Sequence, residues 1–233
     1  MKTSILNQIL AEKTANHSAV LVTYLTSGQE RLFSLANERE LDECGESLAS
    51  EIKKAVRNDP STIINTDDGK AFLHVFNPQL RLIIVGAVHI AQPLSQMAAM
   101  SGYEVTVIDP RKTFANEKRF PNVTVITKWP DVIIRNLNPD SRTAIVTLTH
   151  DPKVDDPALQ ASLKSEAFYI GALGSKKTHI LRHERLERAG FDQQARQRIK
   201  GPVGLSIGAK SPAEIAVAIL AQITEALRKP TNP

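Results

Sequence analysis

The spacing of apolar and polar residues changes character near residue 77. Before it, a short helical spacing (Ile5, Ile9, Leu10) precedes an apolar run from Ala19 to Leu25 that ends at a Ser27-Gly28 turn. A second helical spacing falls around Leu48, Ile52 and Val56, and two strand-like runs, Thr62-Ile63-Ile64 and Ala71 to Phe76, flank Asp67-Asp68-Gly69. These features predict a small N-terminal α/β domain over residues 1–77. Over residues 78–233, short β-rich runs alternate with helical stretches, the order that builds a parallel sheet with right-handed crossovers. The predicted strands are Arg81 to Val85, Glu104 to Ile108, Val123 to Ile126, Thr143 to Thr147 and Ala167 to Ile170. Helices are expected at Ile90 to Met100, near Pro130 to Ile134, and at Asp156 to Ser165, with Asp156 as N-cap and Pro157 at the first helical position. A further helix runs from Ser175 to Ala189, a break at Gly190 and a shorter segment follow, and Gly201 to Gly208 form a loop. Ser211-Pro212-Ala213-Glu214 reads as a capping box for a last helix through Ile215, Ile219, Leu220, Ile223 and Leu227. The fold class expected is α/β: a Rossmann-like parallel sheet with helices on both faces, plus the small N-terminal domain.

Composition adds exclusions. At 42% hydrophobic and 23% charged residues the chain is globular rather than disordered. Cys44 is the single cysteine, so no intramolecular disulfide, zinc ribbon or cysteine-ligated cluster can form, and a cytoplasmic setting is expected. Asn7, Gln8, Glu12 and Lys13 interrupt any leader-like apolar region, and no run approaches the roughly 20 apolar residues of a membrane span. Neither export nor a membrane partner is indicated. The net charge of +4 has an address: residues 171–200 hold eight basic side chains against Glu184, Glu187 and Asp192, so the rest of the chain is slightly acidic. No aromatic residue interrupts Lys176 to Arg188, which argues against nucleic acid and for a compact anion, an acidic partner or a solvated helix face.

Chemistry is expected where strands end. Gly86-Ala87-Val88-His89-Ile90-Ala91 follows a strand and opens a helix, the setting of a dinucleotide fingerprint, with Gly86 for the tight turn and Ala91 at the small third position. Val88 occupies the second glycine position, where a branched side chain would intrude on a pyrophosphate. Asp109 ends the next strand, 23 residues after Gly86, where a carboxylate can accept from a ribose hydroxyl; with Arg111 it could instead form a surface ion pair. His89, beside a helix N-terminus, is expected to act as a neutral donor or ligand, or else to bond a neighbouring loop. His150 and Asp151 share the same sheet edge and could position a ligand or a proton, while Asp151 before Pro152 could equally be a turn residue. Gly171-x-x-Gly174-Ser175 followed by Lys176 and Lys177 reads as an anion cradle at a helix N-terminus, or as an ordinary strand-to-helix turn. His179 and His183 have the i, i+4 spacing of a helical metal pair but lack a third ligand.

Five ordered motifs carry a resemblance: Gly86 to Ala91, Asp109-Pro110-Arg111, Thr149-His150-Asp151, Tyr169 to Lys177, and Gly201 to Gly208 followed by Ser211 to Ala216. In order and spacing they are similar to the C-terminal Rossmann domain of the xanthine dehydrogenase accessory (XdhC/CoxI) family, over about residues 80–225. The resemblance implies a chaperone that binds the molybdenum cofactor (molybdopterin) and delivers it to xanthine dehydrogenase or a related molybdenum hydroxylase. A cysteine desulfurase is a further partner it implies. The family's first loop usually reads Gly-Ala-Gly-His, so Val88 replaces a glycine. Its N-terminal Gly-Ser-x-Pro and Gly-Gly-Cys-x-Glu segments are not found, although Cys44 keeps loosely similar surroundings and could ligate molybdenum or be an incidental thiol. The expected ligand residues are Gly86, Val88, His89, Asp109, Arg111, His150, Asp151, Gly171, Gly174, Ser175 and Lys176. An NAD(P)-dependent oxidoreductase is the alternative function, and the long apolar stretch from Ile215 to Leu227 suggests a homodimer.

Overall fold

The computed structural model describes residues 2–229; residue 1 and residues 230–233, which fall within the expected domain bounds, lie outside that range. Between Pro78 and Gln79 the chain divides into two compact units.

The first unit is an antiparallel sheet of β1 (Ala19–Tyr24), β2 (Glu30–Ser34), β3 (Thr62–Thr66) and β4 (Gly69–Phe76), in the order β2-β1-β4-β3. Alternation along β1 sends Leu21 to one face and Val20 and Val22 to the other. Leu21 meets Ile5 and Ile9 of α1 (Thr3–Thr14). Val20 and Val22 pack with Leu41 of α2 (Glu38–Asp42) and Ile52 and Ala55 of α3 (Glu46–Asn58). The apolar pattern predicts neither β2, whose apolar side chains are the adjacent Leu32 and Phe33, nor the one-turn α2. Pairing with β1 and packing on the sheet supply what local pattern lacks.

The second unit is a six-stranded, wholly parallel sheet: β5 (Arg81–Val85), β6 (Glu104–Ile108), β7 (Thr124–Ile126), β8 (Thr143–Thr147), β9 (Tyr169–Ala172) and β10 (Ile199–Lys200), ordered β10-β9-β8-β5-β6-β7. Six helices accompany it: α4 (Ala91–Met100), α5 (Pro130–Leu137), α6 (Pro152–Leu163), α7 (Lys176–Arg188), α8 (Gln193–Gln197) and α9 (Pro212–Arg228). One face buries Leu82, Ile84, Val107 and Val146 against Leu94 of α4 and Ile219 and Ile223 of α9. The other buries Ile83, Val85, Ile145 and Ile170 against Ile134 of α5, Leu159 of α6 and Leu186 of α7. Both faces are therefore covered, which explains why the central strands are continuously apolar.

Three sequence expectations shift. Helix α6 begins at Pro152 with Asp151 as its N-cap, accepting from the Lys153 N–H at 2.9 Å; Asp156 and Pro157 lie inside the helix. Two Asp-Pro pairs compete for the same start, and only packing selects the first. Strand β9 starts at Tyr169 rather than Ala167 and runs through Gly171 to Ala172, and β10, two residues long, carries no periodic signal. The capping box of α9 forms as expected: Ser211 Oγ accepts from Glu214 N at 3.3 Å, and Glu214 Oε2 accepts from Ser211 N at 2.9 Å. Among the described residues, no helix is long and apolar enough to cross a membrane.

Candidate functional site

From β5 the chain builds one half of the sheet through β6 and β7, then returns beside β5 with β8 and builds the other half through β9 and β10. Strand order reverses between β5 and β8, and in open parallel sheets ligands bind in the crevice at the carboxyl ends of such a pair. The loop after β5 carries Gly86 to His89, the loop after β8 carries Thr149 to Asp151, and the loop after β9 carries Leu173 to Lys176. All three leave the same edge because every strand points the same way.

The β5 loop is held from below. Gly86 has φ +109°, and a Cβ there would lie 2.7 Å from Thr149 Cγ2, so only glycine lets the two loops approach. The Ala87 peptide is gripped on both sides: its N–H donates to Asp109 Oδ2 at 2.8 Å and its carbonyl accepts from Arg119 Nη1 at 2.9 Å. Val88 is half-buried and packs against the apolar cluster below α4 and α9. His89 is exposed; at the start of α4 the Ala91 N–H donates to the Val88 carbonyl at 3.1 Å, and the third helical residue, Pro93, has no N–H.

Of the two roles expected of Asp109, the structure shows the ion pair with Arg111, with the carboxylate buried rather than at the surface. It is fully buried, Oδ1 accepts from Arg111 N and Nε, each at 2.9 Å, and Oδ2 accepts from Arg111 Nη2 and Ala87 N, each at 2.8 Å. Burial by itself would raise its carboxyl; the Arg111 bonds and the Ala87 N–H outweigh that and hold it below the usual carboxylate range. With every oxygen engaged inside the protein, Asp109 shapes the loop rather than facing a ligand. Arg111 stays partly exposed and lies over the Phe114 ring, 4.7 Å from its centroid.

On the neighbouring loop, His150 is exposed and adopts φ +62°, an uncommon conformation for a residue with a side chain. Asp151 is the α6 cap already described. The loop is anchored by Asp155, whose Oδ1 accepts from Thr149 Oγ1 at 2.6 Å and from Thr149 N at 3.3 Å.

The β9 loop separates the two glycines of the expected cradle. Gly171 lies inside the strand and is buried, with Val203 and Tyr169 where its Cβ would be; it is a packing glycine. Gly174, at φ +147°, makes the turn itself. Ser175 caps α7, its Oγ accepting from Thr178 N at 3.1 Å, and Lys176 and Lys177 are exposed beside it. The first turn of a 13-residue helix, a hydroxyl and two ammonium groups thus stand together.

The basic run looks different once folded. Arg182 is buried, Arg185 pairs with Asp156, Arg196 with Glu187, and Arg198 donates to the carbonyls of Leu163, Ser165 and Ala167. Four of its five arginines are thus engaged within the fold, which leaves Lys176 and Lys177 exposed at the start of α7, Arg188 exposed at its other end and Lys200 exposed on β10. His179 and His183 face each other, Nε2 to Nε2 at 3.1 Å, and burial with nearby positive charge lowers His179 to about 4. No group of three or more His, Cys, Asp or Glu side chains that could hold a metal occurs among the described residues. Cys44, in the first unit, is half-buried, its thiol donates to Leu41 O at 3.0 Å, and burial raises it. The sequence pattern did not single out Asp155, Arg119 or Arg182 as members of the edge, because each acts through a tertiary contact.

A parallel sheet in this order, with imidazoles on the loops that leave β5 and β8 at its switch point and a hydroxyl-lysine turn after β9, defines a Rossmann-type domain. Residues 82–223 match the family model described as the XdhC Rossmann domain, and the chain belongs to that family. It is 30% identical over 148 residues to the molybdenum cofactor insertion chaperone PaoD of Escherichia coli K12, a match covering 64% of this chain and 40% of that protein. It is also 30% identical over 159 residues to a probable xanthine dehydrogenase subunit of Bacillus subtilis 168, covering 68% of this chain and 46% of that one. A crystal structure described as a xanthine dehydrogenase from Bacillus halodurans superposes with a TM-score of 0.67 at 25% identity, covering 98% of this chain and 65% of that chain. The chain therefore spans less than half the length of these two curated relatives.

Proposed function

We propose that this chain is a cytoplasmic accessory protein that holds the molybdenum cofactor by its anionic, phosphorylated end and passes it to a molybdenum hydroxylase such as xanthine dehydrogenase. The observation that carries the reading is the gathering of His89, His150, Gly174, Ser175 and Lys176 on the three loops that leave β5, β8 and β9. The donor set suits the group. The capped but cationic start of α7 and two exposed imidazoles offer donors to a phosphate and to the polar edge of a pterin. When bound, the cofactor would supply the redox-active metal that the recipient enzyme uses; this chain's residues hold and orient it. The name of the PaoD relative supports the same role. A homodimer belongs to this reading, supported by Met100 of α4 and Val217 of α9, which remain exposed beside the buried apolar face of those helices.

The test is co-expression with a cofactor biosynthetic pathway and purification of the full chain. Stoichiometric pterin and molybdenum by fluorescence and elemental analysis are expected, with loss on Ser175→Ala combined with Lys176→Ala. Protein that carries neither pterin nor metal refutes the reading, and saturable NAD(P)H binding in its place would favour an oxidoreductase.

A further inference from the structure

Below the ligand edge, between the sheet and helices α6 and α7, three polar side chains are buried among apolar ones. Thr147 ends β8 on the face that buries Ile145. Asp155 lies one turn before Leu159 on α6, and Arg182 one turn before Leu186 on α7, both leucines belonging to that same core. None of the three exceeds 2% exposure. Arg182 Nη2 donates to Leu173 O at 2.8 Å, while its Nε and Nη1 have no protein partner; Asp155 Oδ2 and Thr147 Oγ1 have none either. Idle donors and idle acceptors thus share one buried layer. A buried guanidinium is costly, and an apolar side chain of similar volume would stabilise the core at least as well. Stability alone does not account for an arginine here.

We infer that Arg182 and Asp155 are positioning residues for the ligand loops, joined to each other and to Thr147 through buried water. Each holds a loop rather than a ligand. Arg182 fixes the Leu173 carbonyl, the residue before Gly174 and Ser175; Asp155 fixes the amide and hydroxyl of Thr149, the residue before His150. Thr149 in turn fills the space beside Gly86. One polar link therefore runs from the β9 loop through the core layer to the β8 loop, and the packing of Thr149 beside Gly86 extends it to the β5 loop. Opposite charges that attract across one or two waters favour a single spacing between the loops, whereas an apolar filling would leave that spacing to the loops themselves. The functional part of this inference rests on the ligand-edge reading above; the coupling part does not.

The test uses the full chain and Arg182→Met, which removes the donors and keeps most of the stem. Amide hydrogen exchange is expected to accelerate about tenfold or more at residues 173–178 and also at Thr149, which Arg182 does not touch. A change confined to 173–178, or no change, overturns the coupling. Asp155→Asn provides the reverse arm and should loosen the Leu173 turn, which Asp155 does not touch; an unaltered turn overturns it equally. Arg182→Met paired with Asp155→Leu removes both charges without stranding either, so it should fold close to the parent. With inorganic pyrophosphate as probe, the paired variant is expected to bind about tenfold more weakly than the parent at unchanged melting temperature. Parental affinity in the paired variant overturns the positioning role. A parent that binds no pyrophosphate counts against the anion-edge reading, and the exchange arms then decide the coupling by themselves.

Discussion

Gly171→Ala separates two roles that glycine could play in the Gly-x-x-Gly turn. A Cβ at Gly171 would stand 2.6 Å from Val203 Cγ2 and 2.9 Å from both Cε1 and Oη of Tyr169. Neither neighbour can yield freely. Tyr169 Oη donates to Gln222 Oε1 at 2.6 Å, and that same oxygen accepts from Gly204 N at 2.8 Å, so displacing the ring pulls on the loop that follows β10. Overpacking a closed core costs about 1–3 kcal/mol, and three contacts below 3.0 Å place this substitution in the upper half of that range. For a unit of this size the melting temperature should fall by about 5–10 °C. Urea unfolding followed by Trp129, the chain's single tryptophan and a residue of the same unit, measures the change. Adding Val203→Ala removes the nearest obstacle and should recover about 1 kcal/mol relative to simple additivity. Pyrophosphate affinity should track the folded fraction only. A Gly171→Ala protein as stable as the parent that has lost anion binding would refute the packing account and restore Gly171 to the cradle.

Two further outcomes follow from titrating groups. Asp109→Ala strands Arg111 and frees the Ala87 N–H; because Arg111 can rehydrate, the cost should be about 2–3 kcal/mol, read from the urea midpoint at pH 7. Its carboxyl is held below its unfolded value, so the parent keeps this stability above about pH 4 and loses it as pH falls through the lower folded value, a loss the variant should lack. His179 behaves in the opposite sense to a stabilised histidine. Its unfolded imidazole takes a proton near pH 6.5 and its folded one near 4, so the unfolded state binds more protons between those values and stability must fall as pH drops through that window. A dry site would make this about 3 kcal/mol; with the ring partly in water, about 1–2 kcal/mol is expected, and His179→Gln should flatten the profile. A parental profile that is already flat between pH 6.5 and 4 refutes the burial argument.

What local chemistry determines, the sequence determined by itself. Short β-rich apolar runs set β5, β6 and β8 to the residue, Ser211 and Glu214 set the start of α9, and strand-helix alternation set a parallel sheet whose loops gather at one edge. The five motifs carried the family. The limits appear wherever two local signals are equal or a residue's role depends on what it meets. Asp151-Pro152 and Asp156-Pro157 are equivalent helix starts, and packing on the sheet takes the first. Gly171 and Gly174 read as a pair, yet Val203 and Tyr169 make one of them part of the core. Asp109 sits where a ribose acceptor belongs, and Ala87 and Arg111 consume its oxygens. The basic segment shows the division best. Its +5 can be counted along the chain, but Arg182 is buried against Leu173, Arg185 and Arg196 are paired, and Arg198 binds carbonyls at the end of α6 and just after it. Charge is additive along a sequence, whereas its availability to a ligand depends on which carbonyls and carboxylates the fold brings within about 3 Å, and only the tertiary structure decides that.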